Sequence, residues 1–378
     1  MSTVTAPFVA TGRQRTWRGF DLQLLVYLFL LVVFGVVMSF SATYGAAAET
    51  GALPQTVKTL IWSAIGLACF FVAASVDYHW LATFSAPIYL VVLGMLTLTM
   101  VIGTHVFGAQ MSISVAGLDF QFSEISKVLM VVVLATFLAG RAGGISRLST
   151  ILGAGLLMAL PMLLVYRQPD LGTALVFVAI LVGMLFISGA SIGWMGLFGG
   201  AAVGAAPLVI NALHDYQRQR LFCFLDPGID PQGACYQLIQ SLHAVGSGGW
   251  LGQGLTAGRE HQLGYLPVQS TDFIFTVVAE ELGFVGGALL LGLFGLLLWR
   301  VLLIGWRAHD GLGRLIATGL ATTILFQVLV NVGMVIGLMP VTGIPLPFIT
   351  YGGSSMVSLL IGMGLLQSVR MRSDPPTF

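Results

Sequence analysis

Charge is what this sequence has least of. Of its 378 residues only 8% are Asp, Glu, Lys or Arg, while 57% are hydrophobic. Soluble globular chains carry about 25% charged residues. So thin a polar complement cannot clothe a surface that faces water, which excludes a soluble enzyme and a disordered chain. The formal net charge is +1, so no overall field draws in a polyanion, and nucleic acid is not expected as a partner. Cysteine is scarce too. Cys69, Cys223 and Cys235 make neither a disulfide framework nor a zinc pattern. The six histidines show no ligand spacing along one helix, so no dedicated metal site is expected. No repeat of fixed period is visible, and neither is the inverted symmetry of many transporters.

What fills the chain instead is a series of long apolar runs. A helical span needs roughly 20 mostly apolar residues. Ten segments qualify: about 22–43, 57–76, 84–106, 123–140, 149–166, 171–188, 191–213, 273–300, 313–338 and 353–370. Unbroken runs are not the alternating pattern of a membrane barrel. The expected fold is an all-α polytopic membrane protein with about ten transmembrane helices. The whole chain, 1–378, reads as one transmembrane domain. It has a tail at 1–21, a long loop at 214–272 between the seventh and eighth spans, and a tail at 371–378. Met1 to Asp21 lacks a short apolar core and a cleavage site, so the first run is expected to stay as a span.

An even number of spans puts both termini on one side. If that side is cytoplasmic, it holds Arg13, Arg15, Arg18, Arg141, Arg147, Arg300, Arg307, Arg314, Arg370 and Arg372. The other side holds Lys58, Arg167, Arg218, Arg220 and Arg259, with Lys127 just inside the fourth span. The positive-inside rule then favours cytoplasmic termini. Most acidic residues fall on the outer side, a bias that topology does not require and that hints at polar work there.

The loop at 214–272 is too long to be a plain connection, and its aromatics, prolines and charges suit an ordered segment packed on the surface. Asp272 ends it, beside an apolar run. Partial desolvation there would make the carboxylate a proton acceptor near neutral pH, although Thr271-Asp272 also reads as a helix N-cap. Arg218 and Arg220 flank Gln219 and suit either a pyrophosphate or lipid headgroups. The run Gly246–Gly254 reads as a phosphate-binding nest or as turn chemistry. Glu124 and Lys127, three apart, are either an intramembrane functional pair or a local ion pair. Glu280 and Glu281 are adjacent, so one is expected to face the bundle and the other the interface. Asp170 follows Pro169 and fits a helix cap. Cys223 and Cys235 share the loop, where either a disulfide or two thiols is compatible with the spacing.

Several multi-residue motifs, in order along nearly the whole chain, resemble the SEDS family (shape, elongation, division and sporulation). They are Ser123-Glu124-Ile125-Ser126-Lys127, Gln168-Pro169-Asp170-Leu171-Gly172-Thr173-Ala174, the run Tyr216 to Gly283 with Thr271-Asp272-Phe273-Ile274-Phe275, and the run Asn331 to Ser355. Within the family, Pro340-Val341-Thr342-Gly343-Ile344-Pro345-Leu346-Pro347-Phe348 is most similar to the elongation branch. The resemblance implies a peptidoglycan glycosyltransferase of the bacterial cytoplasmic membrane. It would polymerise lipid II into β-1,4 glycan by inverting attack, beside a class B penicillin-binding protein. It puts Asp272 in the role of general base. It puts Lys127, Glu124, Arg218, Arg220, Gln168, Asp170, Glu280 and Glu281 among the groups that hold lipid II or its undecaprenyl pyrophosphate. A divalent ion bridging that pyrophosphate is compatible with the chemistry, but the residues specify no cofactor.

The sequence departs from the family pattern in places. An Arg-Trp pair is replaced at Met111-Ser112, a Pro by Phe122, a Glu and a His by Val268 and Ser270, and a Thr-Gln by Arg259-Glu260. These departures keep two rival expectations open: a lipid II flippase, and a weakened scaffold that activates the penicillin-binding protein.

Overall fold

The computed structural model describes residues 19–44, 55–106, 109–115, 118–213, 215–258 and 271–373. Thirteen helices run through them: α1 (Leu22–Ala42), α2 (Gln55–Ser75), α3 (Tyr78–Thr83), α4 (Ser85–Ile102), α5 (Phe122–Ala139), α6 (Leu148–Arg167), α7 (Leu171–Ser188), α8 (Ile192–Ala212), α9 (Asp215–Leu225), α10 (Tyr236–Gly248), α11 (Ile274–Arg307), α12 (Gly311–Val335) and α13 (Gly353–Met371). Nine of them are long and apolar enough to cross a membrane among the described residues. α8 stands where the seventh expected span lies, with an apolar helical stretch at Ile192–Ala205. The chain is a multi-pass helical membrane protein.

Acidic side chains start several of these helices by accepting from first-turn amides, which otherwise lack partners. Asp21 accepts from Leu24 N at 3.0 Å, Asp170 from Thr173 N at 2.9 Å and Asp310 from Gly313 N at 3.2 Å. α12 and α13 are mostly enclosed, whereas α4 mostly faces outward. α13 lies closely along α2. A side chain at Gly364 would collide with the Phe70 carbonyl, so the small residue permits that approach. Outward-facing Leu156, Val203, Leu289 and Trp306 suit contact with lipid.

Two features depart from the expected layout. The third span stops at Ile102, because Gly103 turns into extended backbone. Three short antiparallel strands follow: β1 (Thr104–Val106), β2 (Ala109–Val115) and β3 (Leu118–Phe120), in the order β1-β2-β3. The period-two alternation in Gln110-Met111-Ser112-Ile113-Ser114-Val115 is a strand signal that a count of apolar spans passes over. The second feature is α11, which breaks at Gly283 (φ 65, ψ −164). The segment 249–254 covers the break. Phe284 N donates to Gly249 O at 2.9 Å and Val285 N to Trp250 O at 3.1 Å, while Gln253 N and Gly254 N donate to the carbonyls of Glu280 and Glu281. The glycines of 246–254 therefore serve turn and packing chemistry, with the Gly252 amide spent on Gly248 O and the Gly254 amide on α11.

That cover also corrects the expectation for the glutamate pair. Glu280 and Glu281 are both fully buried, and neither sits at the interface. The Glu281 carboxylate accepts from Ser41 Oγ at 2.5 and 2.7 Å and from Thr256 N at 3.1 Å.

Candidate active site

Five of the expected residues meet at one end of the bundle. Glu124 and Lys127 lie one turn apart on α5, 2% exposed, with Lys127 Nζ donating to Glu124 Oε1 at 2.7 Å. The second carboxylate oxygen, Glu124 Oε2, is buried without a hydrogen-bond partner among the described residues. Asp170, in the break between α6 and α7, is close enough to feel both charges. It caps α7 and accepts from Gln121 Nε2 at 3.4 Å. Burial pushes its carboxyl up, against the hydrogen bonds from Thr173 and the charge of Lys127.

Asp272 stands across the same cluster. It does not cap α11, whose N-cap is Phe273 and carries no side-chain cap. Its carboxylate is half-buried and meets no hydrogen bond or ion pair among the described residues. Desolvation pushes it up to about 6, with Arg220 pulling the other way and Asp170 adding to the rise. A carboxylate so poised is ionised near neutral pH and still basic enough to accept a proton.

The backbone around Asp272 is clamped, so its placement is fixed by other elements. Asn331 Nδ2, on α12, donates to Asp272 O at 2.9 Å and to Ile344 O at 2.8 Å. Thr350 Oγ1 donates to Thr271 O at 3.2 Å and accepts from Leu346 N at 2.7 Å. The irregular segment 340–350 thus lies across the site. Gly343 (φ 72) faces both acidic and basic partners: a Cβ there would stand 3.4 Å from Asp272 Oδ2 and 3.9 Å from Arg220 Nη1. Thr342 Oγ1 in that segment is buried without a partner among the described residues. Unsatisfied buried polar atoms are rare and call for an explanation. Here two of them, Glu124 Oε2 and Thr342 Oγ1, border one polar cluster.

The other expected residues lie apart from this meeting point. Gln168 is buried and donates from Nε2 to Leu96 O at 2.8 Å, bracing the body of α4. Arg218 donates to Asn211 O at 2.9 Å at the end of α8. Residues two apart on a helix point to different sides, so α9 separates Arg218 from Arg220. Glu281 is engaged at the α11 break, two turns beyond Asp272. Cys223 and Cys235 are joined, with Cα atoms 5.1 Å apart. Among the described residues no group of three or more His, Cys, Asp or Glu could hold a metal ion. The departures at 259, 260, 268 and 270 lie outside the described residues. Met111 and Ser112 are described in backbone only, within β2.

Sequence reasoning gave no individual site role to Gln121, Asn331, Gly343 or Thr350, although the last three fall within the motif run Asn331 to Ser355. Asn331 carried a usable signal, because a polar side chain inside an apolar span is a functional candidate by default. Gln121 carried none.

A multi-pass helical membrane protein with a buried ionisable cluster under an irregular flap is the class that this fold and site define. The chain belongs to the FtsW/RodA/SpoVE cell cycle protein family, whose model matches residues 22–374. It is 37% identical over 358 residues to stage V sporulation protein E of Bacillus subtilis (strain 168), covering 92% of this chain and 96% of that one. It is 37% identical over 353 residues to peptidoglycan glycosyltransferase MrdB of Escherichia coli (strain K12), covering 92% of this chain and 93% of that one. Among solved structures, RodA of Thermus thermophilus superimposes with a TM-score of 0.70 at 30% identity, covering 94% of this chain and 97% of that one. A chain of a peptidoglycan synthase complex that coordinates polymerization and crosslinking superimposes with a TM-score of 0.78 at 33% identity, covering 94% of this chain and 98% of that one.

Proposed function

We propose that this protein is a peptidoglycan glycosyltransferase that polymerises lipid II, with Asp272 as general base. The single observation that carries the mechanism is the half-buried Asp272 carboxylate, pushed up to about 6, one flap residue away from Arg220. Asp272 takes the proton of the acceptor 4-hydroxyl. That oxygen bonds to the anomeric carbon of the donor, and the bond from that carbon to undecaprenyl pyrophosphate breaks. An α-linked donor becomes a β-1,4 link in one displacement, so no covalent enzyme intermediate is required. The negative charge that develops on the leaving pyrophosphate needs cations nearby. Arg220 and Lys127 are the two that the cluster offers; Glu124 holds Lys127 in place, and Asp170 is near enough to feel its charge.

The Asp272 end is the extracytoplasmic face in this reading. The opposite end gathers Arg141, Arg147, Arg300, Arg307, Arg314, Arg370 and Arg372 around the helix ends there, which supports cytoplasmic termini in a bacterial cytoplasmic membrane. Likeness to a chain of a peptidoglycan synthase complex supports a class B penicillin-binding protein as partner. The segment 340–348 and the likeness to RodA, a rod shape determining protein, support the elongation branch, while identity to stage V sporulation protein E equals that to MrdB.

The test is lipid II polymerisation by the purified full chain and by Asp272→Ala, each with and without the class B penicillin-binding protein. Glycan chains from the wild type alone are expected. Equal polymerisation by the variant would sink the assignment of the base. Translocation of lipid II in vesicles, without polymerisation and indifferent to Asp272, would favour the flippase. A bound partner without turnover in either chain would favour the scaffold.

A further inference from the structure

Arg220 reaches Asp272 from a helix that has little of its own to hold it. α9 has 11 residues, and isolated helices of that length are marginal in water. Its first turn is fastened to the α6–α7 break, where Tyr216 Oη donates to Pro169 O at 2.6 Å and Gln217 Nε2 to the same oxygen at 3.4 Å. Its last turn is fastened by Cys223. Gln217, Arg220 and Cys223 are spaced three apart, so they share one face of α9. Gln217 and Cys223 are buried there and Arg220 is half-buried between them.

The covalent fastening leads back to Asp272 by a second route. Cys235 is fully buried at the start of α10. The connection between the cysteines is shaped by two acidic turns, with Gly228 N donating to Asp226 Oδ1 and Ala234 N to Asp230 Oδ2, both at 2.9 Å. α10 then packs along α11. Ser241 Oγ is paired with Thr276 Oγ1 at 2.8 Å and donates to Val335 O at 3.0 Å, tying α10 to α11 and α12 together. Asp272 lies just before the Phe273 N-cap of α11, and its backbone is held from α12 by Asn331. A continuous path of contacts therefore runs from Asp272 through α11, α10 and the disulfide to α9, which carries Arg220 back to within reach of the Asp272 charge.

We propose that the Cys223–Cys235 disulfide is a positioning element for the reaction, holding the Arg220 guanidinium beside the Asp272 carboxylate, so that full activity requires an oxidised outer loop. The inference rests on the glycosyltransferase reading above. Opening the disulfide frees the last turn of α9 and lets Arg220 move off. The groups that face Asp272 are then Asp170, from the α6–α7 break, and the uncharged Asn331 and Thr350, whose hydrogen bonds there go to backbone atoms. Without the guanidinium the carboxylate holds its proton more tightly, and the acid side of the activity profile moves to higher pH.

The experiment uses the purified full chain with its class B partner and lipid II. A maleimide count on denatured, unreduced protein should find Cys69 alone reactive, and three thiols after reduction. Polymerisation is then measured against pH for wild type, for Cys223→Ser/Cys235→Ser, for Arg220→Gln and for the triple variant. Thermal unfolding in the same detergent reports whether each is folded. If the serine variant unfolds, wild type that has been reduced and alkylated in the native state takes its place. The serine variant should shift the acid limb upward by roughly half a pH unit or more. Arg220→Gln should shift it likewise, and the triple variant should move no further than Arg220→Gln, because both changes remove one interaction. A wild-type profile in the folded serine variant, or shifts that add in the triple variant, would overturn the inference. Three reactive thiols without reduction would overturn the pairing itself. Wild type that makes no glycan would remove the glycosyltransferase reading, and would do so before any cysteine is changed.

Discussion

At the end of the bundle where α1 begins, Asp21 receives two hydrogen bonds from Arg300 Nε, at 2.8 and 3.0 Å, and a contact from Arg300 Nη2 at 2.6 Å. Beside it, His79 lies between Asp77 and Asp310 at 2.9 and 3.1 Å, Tyr78 Oη donates to Asp310 at 2.8 Å, and Arg372 pairs with Asp77 at 3.3 Å. At the other end it is the carboxylates that lack partners. Asp272 has no such partner among the described residues, Glu124 uses one oxygen of two, and Asp170 is desolvated near both. One end spends its charges on tying helix ends together. The other leaves carboxylates under-satisfied in a half-closed site, which costs stability and makes sense where a substrate supplies the missing partners. Perturbed carboxylates in such a setting are candidate functional groups.

The comparison breaks most visibly at Asp272. Asp272→Asn should lower lipid II polymerisation by about 10²–10⁴-fold, the usual worth of a general base, with thermal unfolding in detergent no lower than wild type. A next test removes one partner of the buried pair. Lys127→Met strands Glu124 and should cost about 3–5 kcal/mol in unfolding measurements, while Glu124→Gln/Lys127→Met should recover most of that loss without restoring polymerisation. At the opposite end, Arg300→Ala should cost about 1–3 kcal/mol, because Arg300 is 18% exposed and partly screened. Polymerisation per folded molecule should not change. The smallest effect is expected at His79. The hydrogen bond to Asp310 raises its pKa above the ordinary 6.5, against the cost of burial. Protonated His79 therefore contributes stability that is fully present below that ordinary value and lost as pH rises through the folded one. His79→Gln should flatten this dependence, by about 1 kcal/mol or less, in unfolding temperatures followed from acidic to mildly alkaline buffer.

How much of this the sequence carried differs by element. The apolar runs were legible because a lipid-facing helix must be apolar along its whole length, and all ten expected spans correspond to helices. Their ends were less so. The third stops where Gly103 extends, and α11 runs on to Arg307 because a break at Gly283 lets one helix contain a loop-covered turn and a full span. Of the site, Glu124 with Lys127 was visible as spacing and Asp170 as a cap. The residues alone left Asp272 between base and cap, the family resemblance pointed to the base, and α11 starts without its side chain as a cap. What no local pattern held was the meeting itself. Arg220, Gly343, Asn331 and Asp272 come from four separate parts of the chain, and only the packing of α9 and segment 340–350 over the bundle end brings them within reach. The outcome for Glu280 and Glu281 makes the same point. Adjacent side chains on a straight helix diverge, but a kink capped by 249–254 buries both.

The pH dependence of lipid II polymerisation tests the central claim most directly. The full chain would be assayed with its class B partner from about pH 5 to pH 8, beside Asp272→Asn, at saturating substrate. With Asp272 as the base, wild-type turnover should fall away on the acid side with a midpoint near 6, and the Asn variant should show only a low rate with no such limb. Turnover that stays level through that range, or an Asn variant that keeps the wild-type limb, would contradict it.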